Sequence, residues 1–143
     1  MPRRITDKLK SKKMSNEIKF RAWDNAEWKM YYNHSVSLSI DGSVSFLNTS
    51  GEWEQDDDKS MITLMQFTGR KDKNKKDIYE GDIFGTPIQL RCVVERENDG
   101  RWVLRFIDKR IKPISILDHK VEKSSIIGNI YENPELLNKE VAV

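Results

Sequence analysis

Ile88-Gln89-Leu90-Arg91-Cys92-Val93-Val94, then Asn98-Asp99-Gly100, then Trp102-Val103-Leu104-Arg105-Phe106: this stretch decides the fold class. Ile88, Leu90, Cys92 and Val94 recur with a period of two, which puts them on one face of an extended strand. Asn98-Asp99-Gly100 turns the chain, and Trp102, Leu104 and Phe106 repeat the alternation on the return, so the segment predicts a hairpin. The same period extends through most of the sequence, and no window of a dozen residues carries a helical stripe.

Upstream, Ile18, Phe20 and Ala22 alternate with Lys19, Arg21 and Trp23; Asp24-Asn25 marks a turn, and Trp28, Met30 and Tyr32 return as a first hairpin. Val36, Leu38 and Ile40 lead through Asp41-Gly42, a tight primed-turn signal, into Val44 and Phe46 as a second. Residues 48–60 carry Gly51 and the run Asp56-Asp57-Asp58 and read as a connector, with a boundary at residue 60. Beyond it, strands are predicted over 62–68, 78–84, 114–117 and 126–131 besides the hairpin already read, with a charged turn over 69–77. Five or more short strands joined by tight turns suit a small closed barrel, which leaves no open sheet edge. The first two hairpins are expected to lie on it as an extra layer. Asn133 and Pro134 predict a short helical turn over 135–139. The organisation is a basic leader over 1–13, a β-hairpin region over 14–60 and a barrel region over 61–143.

The 143 residues suffice for one ordinary domain, and 37% hydrophobic against 34% charged residues suits a soluble globular chain. The formal charge of +2 is uneven. Arg3, Arg4, Lys8, Lys10, Lys12 and Lys13 against Asp7 give the leader +5, leaving −3 for residues 14–143. Net charge therefore does not argue for nucleic-acid binding by the body. Two readings of the leader stay open: a flexible arm, or an extension upstream of an ordinary start at Met14. It runs into Ser15, Asn16 and Glu17 without the apolar stretch of a secretory signal. The longest uncharged run, Met30 to Ile40, has eleven mostly polar residues, short of the roughly 18 apolar ones a span needs. A single cysteine fits a reducing cytoplasm.

Four blocks resemble the YopX family of phage and prophage proteins from Gram-positive bacteria. They are Ile18-Lys19-Phe20-Arg21-Ala22-Trp23-Asp24; Leu64-Met65-Gln66-Phe67-Thr68-Gly69 with Lys71-Asp72-Lys73-Asn74; Ile78-Tyr79-Glu80-Gly81-Asp82-Ile83; and Ile127-Gly128-Asn129-Ile130-Tyr131-Glu132-Asn133-Pro134-Glu135-Leu136-Leu137. The resemblance implies a β-rich fold whose second part is a small Src-homology-3-like barrel, and a phage or prophage origin. It brings no activity, cofactor or catalytic residue with it. The chain departs from the family's pattern at Lys75, where glycine usually follows the asparagine, so a longer or frayed turn is expected there.

Several residues invite chemistry. Adjacent Asp56, Asp57 and Asp58 project in different directions and read as a solvated acidic loop, not a cation site. Asp72 and Asn74 begin like a calcium loop, but Lys76 stands where a third oxygen ligand belongs. His34 and His119 sit in no metal-ligand spacing, and Cys92 shares an apolar face, as a buried inert thiol does. Neither a catalytic residue nor a metal or cofactor is expected. Gly81 and Asp82 read as a structural turn, with Asp82 accepting turn amides.

The candidate functional surface is on the first hairpin. If Ile18, Phe20 and Ala22 face inward, Lys19, Arg21 and Trp23 face outward, with Lys29 and Tyr31 beside them. Aromatic and cationic side chains there suit a protein partner, or single-stranded nucleic acid; otherwise the second hairpin covers Trp23 and the cations are solvated. The expectation is a non-enzymatic phage accessory protein in the host cytoplasm, off the membrane, that binds a host or phage protein. Self-association is an added possibility through the serine-rich strand near Ser35, and a small-barrel nucleic-acid binder is the alternative.

Overall fold

The structure, a computed structural model, describes residues 17–32, 35–57, 61–85 and 90–138. The leader, Met14, His34, Asp58, Ile88 and Lys139 lie outside the described residues, as does the His119 side chain. Among the described residues, twelve strands run in the order β1 (Phe20–Asp24), β2 (Lys29–Tyr32), β3 (Val36–Leu38), β4 (Val44–Leu47), β5 (Trp53–Gln55), β6 (Ile62–Lys71), β7 (Asp77–Tyr79), β8 (Asp82–Gly85), β9 (Arg91–Arg96), β10 (Trp102–Phe106), β11 (Ile114–Ser115) and β12 (Ser125–Asn129). A single helical turn, α1 (His119–Glu122), precedes β12, and a 3-10 turn, Pro134–Leu137, follows it. The described residues are nearly all β, as their periodicity predicts, and the helical turn expected over 135–139 lies at Pro134–Leu137.

The strands form three sheets, ordered β2-β1-β6-β7, β3-β4-β5 and β11-β10-β9-β8-β12. The first hairpin is not a layer laid on the barrel. β1 pairs antiparallel with β6, Arg21 opposite Met65 and Trp23 opposite Thr63, so a sheet joins residues on both sides of residue 60. The connector read over 48–60 contains β5, which pairs with β4 through Leu47 and Trp53. Asp41-Gly42 also departs from expectation: the loop spans Ser39 to Ser43, only Gly42 takes a positive φ, and Asp41 Oδ1 accepts the Ser43 amide at 2.9 Å. The side-chain acceptor fixes a turn that needs one left-handed residue where a primed turn needs two.

Both faces of β1 are covered. Ala22 packs with Tyr31, Phe46 and Ile62 against the three-stranded sheet. On the reverse face, Trp23 stacks on Tyr131 at 5.8 Å and Arg21 reaches Asp82. A strand sandwiched between layers buries consecutive residues, so alternation does not tell its inside from its outside.

The strand predicted over 78–84 is broken at Glu80-Gly81. Gly81 takes φ +87°, and the chain leaves the four-stranded sheet through β7 and enters the five-stranded one through β8. Glu80 N donates to Gln66 O at 3.0 Å, and Gly81 N to Val94 O at 2.9 Å, so the corner is bonded to a strand of each sheet. The five-stranded sheet curls into a half-barrel around Phe84, Cys92, Val94, Leu104, Phe106, Ile116 and Val121.

At the C-terminus, Asn133 does not cap the 3-10 turn with its side chain; its Oδ1 accepts the Asn129 amide at 3.2 Å. That places Asn133 against Gly128, where an added Cβ would lie 2.5 Å from Asn133 Oδ1 and 2.9 Å from Leu136 Cδ1. Gly128→Ala is therefore expected to lower the unfolding free energy by about 1–3 kcal/mol in a urea titration; an unchanged midpoint would show that this contact relaxes without cost.

Candidate functional site

Register decides what the first hairpin can present. Ala22 pairs with Tyr31 and Asp24 with Lys29, so Lys29 and Tyr31 share a face with Ala22, not with Arg21 and Trp23. The predicted surface of Lys19, Arg21, Trp23, Lys29 and Tyr31 does not assemble. Tyr31 is buried against Phe46 with ring centroids 5.4 Å apart, and Trp23 is buried under Tyr131. It is the C-terminal segment, and not the second hairpin, that covers Trp23. Lys19 lies over the Phe67 ring and pairs with Asp77 at 2.7 Å. Only Lys29 stays exposed, with its amine 5.1 Å from the Tyr31 ring.

Arg21 departs furthest from expectation, being only 2% exposed. Its Nη2 donates to Asp82 Oδ1 at 2.8 Å and to Glu80 O at 3.1 Å, its Nε faces Met65 Sδ at 3.4 Å, and its guanidinium lies over the Tyr79 ring at 4.8 Å. Asp82, 1% exposed, uses Oδ2 to accept the Tyr79 amide at 2.8 Å across the Gly81 corner. Burial pushes the Asp82 carboxyl above its ordinary value, and the Arg21 charge opposes that shift. Gly81 and Asp82 thus form a turn locked from β1.

The other buried acids serve the backbone. Asp24 Oδ1 accepts the Ala26 and Glu27 amides at 2.9 and 3.0 Å. Asp56, read from sequence as solvated, is buried and accepts the Met61 and Ile62 amides at 3.2 and 3.1 Å. Asp72 accepts the Asn74, Lys76 and Ile126 amides. The Lys75 turn is neither frayed nor lengthened: Lys75 holds φ 65° while Lys75 N bonds Asp72 O at 3.0 Å. Cys92 is fully buried, and desolvation pushes its thiol up to about 12. Among the described residues no group of three His, Cys, Asp or Glu side chains is placed to hold a metal, and no helix is long and apolar enough to cross a membrane.

Sequence reasoning missed a different feature. Trp28, in the turn between β1 and β2, is 77% exposed and holds φ 58°. Its amide bonds Asp24 O at 2.9 Å, so the turn that carries the indole is closed by backbone and fixed by the Asp24 carboxylate. The preceding turn residues Ala26 and Glu27, with Tyr31, Phe46, Ser50 and Glu54, line a groove of about 200 Å³ that Trp28 itself does not line. Alternation placed Trp28 on a strand; no sequence pattern marks a bulky residue at positive φ.

The YopX family model matches residues 19–138. The chain belongs to the YopX family. It is 30% identical to protein EF1440 from Enterococcus faecalis, whose crystal structure it matches with a TM-score of 0.63 over 87% of this chain and 100% of that one. The yopX protein from Bacillus subtilis, at 22% identity, matches with a TM-score of 0.55 over 84% of this chain and 95% of that one, a likeness of fold. No curated protein sequence matches. The four blocks that carry the family likeness meet around the Arg21–Asp82 pair: Arg21 and Trp23 from the first, Met65 and Gln66 from the second, Tyr79 to Asp82 from the third, and Tyr131 from the fourth.

Removing one partner of a buried ion pair strands the other's charge. Arg21→Ala is expected to lower the unfolding free energy by about 3–5 kcal/mol, while Lys29→Ala at an exposed position stays within about 0.5 kcal/mol. Comparable losses in the two urea titrations would contradict this assignment.

Asp77 supplies a pH dependence. Burial alone would raise its carboxyl, but hydrogen bonds from Lys19 and Lys71 hold it below its ordinary value of 3.8. A lowered folded-state value contributes stability above the unfolded value, and this is lost as pH falls through the folded one. Stability should therefore drop below pH 3.8, and Asp77→Asn should flatten that acid limb in thermal melts; an unchanged limb would refute the coupling.

Proposed function

We propose that this YopX-family chain is a non-enzymatic protein-binding module, a phage-borne accessory protein that works in the cytoplasm of its bacterial host. Trp28 carries the reading. A bulky residue at positive φ costs on the order of 1–3 kcal/mol of strain, and an exposed indole gains no burial in return. The fold would be better served by glycine at this position. Strain of this kind persists where the side chain has work outside the fold, and tryptophan is among the residues enriched in binding hot spots. Glu27, adjacent to Trp28 in the turn, and Glu54, which shares a groove with Glu27, disfavour a phosphate backbone and suit a protein surface that offers an apolar pocket for the indole and cations at its rim.

Two observations support a non-enzymatic reading. Asp24, Asp56, Asp72 and Asp82 commit their oxygens to backbone amides or to Arg21, and the Cys92 thiol is buried and protonated. These groups are therefore occupied in structural work and not available for proton transfer or nucleophilic attack.

Trp28→Gly separates binding from folding. It should raise the unfolding free energy by about 0.5–1 kcal/mol, by removing the left-handed strain net of glycine's entropy. A photo-crosslinking residue at position 28 should yield a discrete protein adduct in host cells, and one at exposed Asn98, in the turn between β9 and β10, a weaker one. Nucleic-acid adducts, or none, from position 28 would overturn the reading, as would a Trp28→Gly variant less stable than the parent.

A further inference from the structure

The second non-glycine residue at positive φ, Lys75, lies in the loop between β6 and β7. We propose that this loop is a phosphate-binding site for the backbone of nucleic acid. It goes beyond the protein-binding reading and rests on different residues. Trp28 follows β1 where Asp24 pairs with Ile62, the first residue of β6, whereas the loop follows Lys71, the last. Ten residues of strand at about 3.3 Å each separate the two sites by roughly 30 Å.

Lys71, Lys73, Lys75 and Lys76 are all exposed within six residues, on a body whose net charge is −3. The loop is held rigid from beneath. Asp72, the acid among these lysines, is buried and bonded to three amides, so it anchors the backbone and forms no ion pair with the amines, and its single charge leaves the four lysines in excess. Lys73 N bonds Ser124 O at 3.1 Å, tying the loop to the segment before β12.

A groove of about 580 Å³ opens beside the loop, lined by the cations Arg70, Lys71, Lys73 and Lys75 and by the acids Glu17, Asp72 and Glu122. Its acids are already matched. Glu17 pairs with Lys19 at 3.5 Å, Glu122 with Arg70 at 2.9 Å, and Asp77 with Lys19 and Lys71. Arg70 also donates to Ile116 O at 2.7 Å, so its guanidinium is structural. Lys73, Lys75 and Lys76 have no ion pair with any described residue.

Lys75 gives the loop its argument for function. Glycine would relieve the backbone at φ 65°, yet the position carries a long cation aimed from a fixed turn. The groove offers no exposed ring for a base to stack on, since Phe67 lies beneath Lys19. The expected contact is therefore with phosphates, without regard to sequence or strandedness.

The test uses the full chain with its leader neutralised by Arg3→Gln, Lys8→Gln, Lys10→Gln, Lys12→Gln and Lys13→Gln, because the leader would bind polyanions by itself. Anisotropy of fluorescein-labelled 20-nucleotide single-stranded and duplex DNA is followed across a salt series. Binding to both is expected, with log K falling against log salt at a slope of about −3 for duplex. Lys75→Gly should weaken binding several-fold and make the slope shallower by about one, while raising the thermal midpoint. Lys73→Gln with Lys75→Gly should make it shallower by about two. The proposal fails if the leader-neutralised protein does not bind, or if Lys75→Gly leaves affinity and slope unchanged. It also fails if affinity drops only in step with lost stability. None of these outcomes bears on Trp28, whose crosslink is read separately.

Discussion

A guanidinium with 2% exposure, bonded to a carboxylate with 1%, is the constraint on which the rest of the structure depends. Arg21 comes from β1, at the heart of one sheet, and Asp82 from the first position of β8, where the chain has just entered another. Neither charge is tolerable alone in that environment. Their pairing fixes the corner at Gly81, and the corner decides how the half-barrel sits on the central sheet. Tyr79 over the guanidinium, Met65 against its Nε and Glu80 O on its Nη2 complete the cradle, and no buried side-chain polar atom of the described residues lacks a partner.

This arrangement explains what the family likeness means physically. The residues that make the chain recognisable as a YopX protein are largely those that close the junction between its sheets. They specify a fold, and a fold does not fix a function. The features that carry the functional proposals lie outside the junction, on turns that project from it. Both are long side chains held at left-handed φ, one an indole next to Glu27 and one an amine flanked by Lys73 and Lys76. The two ends of β6 thus present opposite chemistry, on a scaffold whose buried carboxylates are given over to holding turns.

Much of the architecture was legible in the sequence because most strands bury one face, and alternation reports that directly. The β9–β10 hairpin and the turn at Gly81-Asp82 follow from local chemistry, as does the C-terminal helical turn through Pro134 at its start, although Asn133 does not cap it. The first hairpin did not, because β1 lies between two layers: Arg21 and Trp23 alternate with Ala22 yet are as inaccessible as it is. Lys29 and Tyr31 were misplaced by register, which depends on the four-residue turn at Asn25–Trp28, and a one-residue shift moves every side chain to the other face. Asp56 looked solvated because its partners, the Met61 and Ile62 amides, lie across a connector that composition alone marks as loose. Long-range pairing, as between Arg21 and Asp82, leaves no trace in local periodicity.

The most direct test is a double-mutant cycle on the pair, with Arg21→Met to keep the stem's volume and Asp82→Asn to keep an acceptor for the Tyr79 amide, each followed by urea unfolding. A pin between sheets predicts a coupling energy of about 2–3 kcal/mol, the double variant being more stable than the sum of the single losses allows. Additive losses within about 0.5 kcal/mol would show that the two charges act independently and that the junction rests on its apolar contacts instead.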